Sequence, residues 1–175
     1  MLSTSLAAYP WLATAMLAAV LVIGPLVGSW LASKPRATWV LTGIALVAVL
    51  VATLAPTGRE LEAICVLDWD VRLTAPEPLA NVVLLVPLAL LVGVATRRPL
   101  LGALVGVGLS ATIELVQALV PALGRSCAAG DWLANAVGAA LGALLAVIAL
   151  RIARGIAQRR ARRATSARDA DRAVS

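Results

Sequence analysis

The chain alternates between long runs of apolar residues and breaks that carry proline and charged residues. The apolar runs are Trp11–Trp30, Thr38–Ala55, Leu79–Thr96, Leu101–Leu119 and Trp132–Leu150. Since a helix rises 1.5 Å per residue, about 20 apolar residues cross the ~30 Å hydrocarbon core of a bilayer. The pattern therefore predicts an all-α fold, a polytopic transmembrane helical bundle with about five spanning helices.

Composition excludes a soluble domain built around an apolar core. Of the 175 residues, 61% are hydrophobic and 14% are charged, whereas soluble domains have about 45–50% apolar and about 25% charged residues. We expect one transmembrane domain over residues 1–150 and an Arg-rich tail over residues 151–175. The first part of the tail can continue the last helix over anionic headgroups, and the last dozen residues are expected to be disordered.

Basic residues predict the orientation of the helices, because most of them fall in the first and third breaks and after Leu150. They are Lys34, Arg36, Arg97, Arg98 and eight tail arginines, against Arg59, Arg72 and Arg125 in the second and fourth breaks. The positive-inside rule then places the N-terminus outside and the C-terminus in the cytoplasm.

Several polar residues interrupt or border the last three apolar runs. They are Asn81, Glu114, Gln117, Arg125, Asp131 and Asn135. An acidic residue at the bilayer centre costs about 2.5–3.5 kcal/mol, so a residue such as Glu114 marks a functional site by default. In the predicted topology all six residues lie toward the outer side, which predicts a shared ligand-binding pocket there.

Each of these residues also has a purely structural interpretation. Glu114 can pair with Arg125 or with amide neighbours, and hydrogen bonds in membrane bundles contribute about 0.6 kcal/mol on average. Asp131 at a helix start is an ordinary N-cap residue. The uncharged amides commonly serve helix packing, so the sequence leaves both interpretations open.

Small residues lead to the polar positions on the last two spanning helices. Gly102 and Gly106 share a face with Glu114, and Gly138 and Gly142 share a face with Asn135. Small-xxx-small spacing lets two backbones approach closely in a membrane. We therefore expect these two helices to pack tightly at the cytoplasmic end and to diverge around the polar residues.

Five motifs, in this order and spacing, resemble those of the VanZ-like family. They are Thr53-Leu54-Ala55-Pro56, Asn81 with Pro87-Leu88, Glu114-Leu115-Val116-Gln117, Gly124-Arg125, and Asp131-Trp132-Leu133-Ala134-Asn135-Ala136-Val137-Gly138 with Gly142. The resemblance covers about residues 38–148 and implies a small multi-pass protein of the bacterial plasma membrane. The founding member is associated with resistance to lipoglycopeptide antibiotics of the teicoplanin type, so the resemblance implies a role in such resistance.

One position departs from the family pattern. Many members carry an acidic residue three positions after the arginine, and here that position is Ala128. Asp131 and Asn135 keep their places after Arg125. If the family pocket binds a cation or a basic ligand through two carboxylates, we expect this chain to bind it more weakly or differently.

The two cysteines, Cys65 and Cys127, both fall in predicted outer loops. An oxidising compartment permits a disulfide between them, and two unpaired thiols are the alternative. The sequence contains no His, no metal-binding cysteine spacing and no Gly-rich phosphate loop, so we expect no metal and no cofactor. The basic tail is explained as a topology anchor, and it lacks the aromatic platform that would favour nucleic-acid binding.

The favoured function is a binding protein rather than an enzyme. Its partners would be membrane lipids, a lipid-linked cell-wall intermediate or a lipoglycopeptide. The alternative is a membrane enzyme that acts on a lipid-linked cell-wall substrate, with Glu114 and Asp131 as acid and base. A proton-coupled transporter is disfavoured because the five helices show no clear internal repeat.

Overall fold

The computed structural model describes residues 11–57, 75–125 and 127–174. In this part of the chain the helices are α1 (Trp11–Leu31), α2 (Pro35–Leu54), α3 (Pro76–Thr96), α4 (Pro99–Leu119) and α5 (Ala129–Val174). A short 3₁₀ turn, Pro121–Leu123, lies between α4 and α5. All five helices are long and apolar enough to cross a membrane, and the described residues form no strand. The predicted all-α transmembrane bundle is confirmed.

Proline begins three of the five helices. Pro35, Pro76 and Pro99 stand at the start of α2, α3 and α4, where the missing N–H costs no hydrogen bond and the fixed φ suits a helix. The connection from α3 to α4 is only two residues long, and Arg97 adopts a left-handed conformation there with φ 57°. Such a short connection places α3 and α4 side by side and antiparallel.

Helix α3 lies at the centre of the bundle and contacts each of the other four helices. Leu85, Val86 and Ala89 of α3 are 0% exposed. Helix α5 packs along α3 and α4, whereas α2 lies against α3 and meets α4 at only a few points. The outer faces of α1 and α2 carry exposed aliphatic side chains such as Val22 and Val40, as expected for helices that are apolar all round and face lipid.

The glycines predicted to join α4 to α5 pack mainly against α3 instead. A Cβ added to Gly138 would lie 2.3 Å from the carbonyl oxygen of Val82, and Gly102 and Gly142 approach the α3 backbone equally closely. Only Gly106 packs on α5, against Ala139. The small-residue stripes therefore allow α3 to pack closely against α4 and α5. The sequence had predicted that these stripes would pack α4 against α5.

Helix α5 continues without interruption for 46 residues, through the Arg-rich tail to Val174. The sequence led us to expect disorder in the last dozen residues. Alanine and arginine have high helix propensity, and no proline follows Leu150, which accounts for the difference. At 1.5 Å per residue, a helix of this length reaches well beyond a bilayer core of ~30 Å.

Candidate functional site

One face of α4 is polar near its C-terminal end. Ser110, Glu114 and Gln117 follow one another at helical spacing, and they are 0%, 8% and 8% exposed. This face turns inward because the opposite face of α4 carries exposed aliphatic residues such as Leu115. Together with Asp131 and Asn135 at the start of α5, these three residues form what we call the polar cluster.

Glu114 is held by the backbone that leads into α5. Its Oε2 accepts a hydrogen bond from the backbone N–H of Ala128 at 2.9 Å. Asp131, in the first turn of α5, is close enough to interact electrostatically with Glu114. No ion pair joins Glu114 to Arg125 within the described residues, where Arg125 bonds to Ala55 instead, so the arginine is not the structural partner of Glu114.

Asn135 joins α5 to α4 through its side chain. Its Nδ2 donates a hydrogen bond to Ser110 Oγ at 3.0 Å. Asn135 is only 2% exposed, and its Oδ1 accepts no hydrogen bond from the part of the chain that the structure describes. A buried carbonyl oxygen without a donor is costly, and each such group in a native protein calls for an explanation.

Gln117 and Arg125 each donate one side-chain hydrogen bond to the C-terminal end of α2. Gln117 Nε2 donates to the backbone carbonyl of Thr53 at 2.9 Å, and Arg125 Nε donates to the carbonyl of Ala55 at 3.1 Å. The last carbonyls of a helix have no partner inside it. These two residues, predicted as ligand-binding, therefore also cap α2 and tie it to the α4–α5 connection.

Thr57 strengthens the same junction from the α2 side. Its backbone N–H donates to the Leu123 carbonyl at 3.0 Å, and its Oγ1 donates to the Gly124 carbonyl at 2.5 Å. These contacts could not be predicted from the sequence, because each acceptor is a backbone carbonyl. The same holds for Ala128, which acts through its N–H and not through its side chain.

Within the described residues, Asn81 does not join the hydrogen-bonded part of the cluster. It is half-buried on α3, and none of the hydrogen bonds found among the described residues involves its side chain. Cys127 is disulfide-bonded, whereas Cys65 lies outside the described residues, so the pairing of the two remains a prediction.

The arrangement can bind a ligand or move a proton. No group of three or more His, Cys, Asp or Glu residues in the described ranges could hold a metal ion. A buried carboxylate beside amide and hydroxyl groups can accept hydrogen bonds, anchor a cation or exchange a proton. The site thus has the chemistry of recognition or proton transfer.

Comparison with protein families identifies a match over most of the chain. The VanZ/LLP1 family model matches residues 11–150, which include α1 through α4 and the whole apolar part of α5. The match extends further toward the N-terminus than the motifs noted in the sequence. Comparisons with curated proteins and with solved structures gave no match.

Proposed function

Because this chain belongs to the VanZ/LLP1 family, we propose that it is a multi-pass protein of the bacterial plasma membrane that binds a lipophilic or lipid-linked ligand at the polar cluster. In this proposal the N-terminus lies outside and the Arg-rich end of α5 lies in the cytoplasm, as the distribution of basic residues favours. The polar cluster then faces the outer leaflet. A ligand would reach it from the lipid or from the cell-wall side.

The observation that carries the proposal is the state of Glu114. It lies in a membrane-spanning helix, it is 8% exposed, and the one hydrogen bond it accepts within the described residues comes from a backbone N–H. No cation pairs with it among the described residues. An ionisable side chain that is held this way inside a bundle is costly, and such residues are usually retained for function.

Arg125 supplies a second recognition element beside the cluster. Its Nε is bonded to Ala55, but its two terminal nitrogens make no hydrogen bond within the described residues, and the side chain is half-buried. A guanidinium group in this state can bind a phosphate through its remaining donors. This favours an amphiphile with an anionic headgroup, such as a lipid-linked cell-wall intermediate.

The family relationship also motivates a role in susceptibility to teicoplanin-type lipoglycopeptides. The test compares inhibitory concentrations of teicoplanin and vancomycin for a deletion strain and for strains that express wild-type, Glu114→Gln or Thr112→Val protein at matched membrane levels. Thr112 is the control because it lies on α4, its side chain is exposed, and its hydroxyl donates to the Gly108 carbonyl of the same helix.

We expect a teicoplanin-selective change that requires Glu114 and tolerates Thr112→Val. The proposal fails if Glu114→Gln and Arg125→Ala leave both susceptibility and lipid binding unchanged while the proteins are expressed normally. If susceptibility alone is unchanged, the binding function stands and the resistance role is wrong.

A second candidate function is an enzyme that acts on a lipid-linked cell-wall substrate. The electrostatic interaction between Glu114 and Asp131 favours it, since two nearby carboxylates in different environments can serve as acid and base. Product formed by the purified protein, and lost with Glu114→Gln, would support catalysis. Binding of the substrate without turnover would rule it out.

A further inference from the structure

The polar cluster contains two acceptor groups that are not fully used within the described residues. Gln117 and Asn135 each donate one side-chain N–H, to Thr53 and Ser110 respectively. The Oδ1 of Asn135 has no donor among the described residues, and within the same residues Glu114 accepts a hydrogen bond only at Oε2.

The remaining acceptors lie on facing sides of α4 and α5. Asn135 contacts Ser110, and Glu114 lies one helical turn beyond Ser110 on the same face. Glu114 keeps 8% of its surface exposed and Asn135 keeps 2%. A ligand group would therefore meet the carboxylate first and the amide oxygen one turn deeper.

From these two acceptors we propose that the cluster recognises a headgroup that donates hydrogen bonds, namely an ammonium N–H or a hydroxyl O–H close to a phosphate. The donor group satisfies Glu114 and Asn135, and the phosphate binds the terminal nitrogens of Arg125. This inference rests on the proposed lipid-binding function and narrows its ligand class. A headgroup without N–H or O–H donors would leave both acceptors unpaired, which is the strongest basis for discrimination in a buried site.

Three phospholipids share a phosphate but differ in the hydrogen-bond donors of their headgroups, so comparing them tests the donor requirement. Phosphatidylethanolamine offers an ammonium with N–H donors, phosphatidylglycerol offers hydroxyl donors, and phosphatidylcholine keeps the phosphate and the positive charge but has no donor. The purified full-length protein would be exchanged into bilayer discs with equal amounts of all three lipids. The lipids that remain bound after detergent extraction would be quantified by mass spectrometry.

We expect phosphatidylethanolamine, phosphatidylglycerol or both to be retained about tenfold over phosphatidylcholine, which corresponds to about 1.4 kcal/mol. The lipid that is retained identifies the source of the donor, ammonium or hydroxyl. Glu114→Gln and Asn135→Leu should each abolish the preference, and Thr112→Val should keep it. Because Glu114→Gln is nearly isosteric, it tests the proposal even if Asn135→Leu does not fold.

Retention of all three lipids to the same extent would overturn the donor requirement and leave the proposed lipid binding intact. A preference that persists in Glu114→Gln would also overturn it. If none of the three lipids is retained above the level of an unrelated membrane protein, the inference is wrong, and the proposed function is then decided by the susceptibility test of Glu114→Gln and Arg125→Ala.

Discussion

Gln117 of α4 donates a hydrogen bond to the backbone carbonyl of Thr53 in the last turn of α2, across 2.9 Å. In a continued helix this carbonyl would accept from the N–H of Thr57, but that N–H donates to Leu123 instead. Pro56 prevents the helix from continuing. The side chain of Gln117 therefore replaces a bond that the end of α2 has lost, and it fixes α2 beside the polar cluster.

We expect Gln117→Leu to destabilise the protein by about 1–2 kcal/mol, because the buried Thr53 carbonyl loses its donor. The measurement is the unfolding midpoint in detergent, by circular dichroism or differential scanning fluorimetry. Thr112→Val is the matched control on the same helix and should leave the midpoint unchanged. A Gln117→Leu protein as stable as wild type would show that the capping bond contributes nothing.

The sequence predicted the spanning helices well because their signal is local. Runs of about 20 apolar residues between prolines define each helix without reference to its neighbours. The proline at the start of α2, α3 and α4 sharpens three of the boundaries. The grouping of Glu114, Gln117 and Asn135 toward one end of the bundle also follows from helix direction alone.

Partners of individual residues were not predictable in the same way. Helical phase gives the face on which Gly138 or Gly142 lies, but it does not say which helix approaches that face. In the structure that helix is α3, whereas α4 was expected. Gln117 and Arg125 bond to backbone carbonyls, which every residue carries. Their capping role is visible only when the ends of α2 and α4 are placed side by side.

Packing of α3 against α5 should depend on the absence of a side chain at Gly138. A Cβ there would lie 2.3 Å from the Val82 carbonyl oxygen, so Gly138→Ala forces the two backbones apart. We expect a loss of about 1–3 kcal/mol in unfolding free energy, as for other overpacked sites. Thermal unfolding in detergent would measure it.

Gly108 provides the matched control for this prediction. It is exposed on α4, and nothing lies within 4 Å of an added Cβ. Gly108→Ala should be neutral or stabilise the helix by up to about 1 kcal/mol, since alanine has the higher helix propensity. Equal effects at Gly138 and Gly108 would contradict the close packing of α3 on α5.

Ala128 stands where many family members carry an acidic residue, so substituting it tests what that carboxylate would contribute to ligand binding. Its N–H bonds to Glu114, and its side chain is only half-buried, so Ala128→Asp adds a negative charge beside the cluster without filling a closed core. If the ligand carries an ammonium group, binding should strengthen by about 1 kcal/mol, or about fivefold. Lipid retention from bilayer discs that contain phosphatidylethanolamine would measure the change.

Ala128→Asn is the uncharged control of nearly the same size. It should leave retention close to that of wild type, because it adds polarity without charge. Equal retention in the Asp and Asn variants would mean that charge at this position does not act on the ligand.

The disulfide of Cys127 should position the amide that bonds to Glu114. Ala128 follows Cys127 directly and donates its N–H to Glu114 at 2.9 Å, so a cross-link at Cys127 restrains this donor. We expect Cys127→Ser to destabilise the protein by about 2–4 kcal/mol and to raise the reactivity of Glu114 toward a hydrophobic carbodiimide. Peptide mass spectrometry would measure the labelling of Glu114, and the unfolding midpoint would measure stability.

Comparison with Cys65→Ser tests which residue is the partner of Cys127. If the two cysteines form one bond, each single variant and the double variant should lose the same stability, because the second substitution removes nothing further. Additive losses would exclude the pairing. A loss of stability without a change in Glu114 labelling would show that the disulfide stabilises the fold but does not position the Ala128 amide.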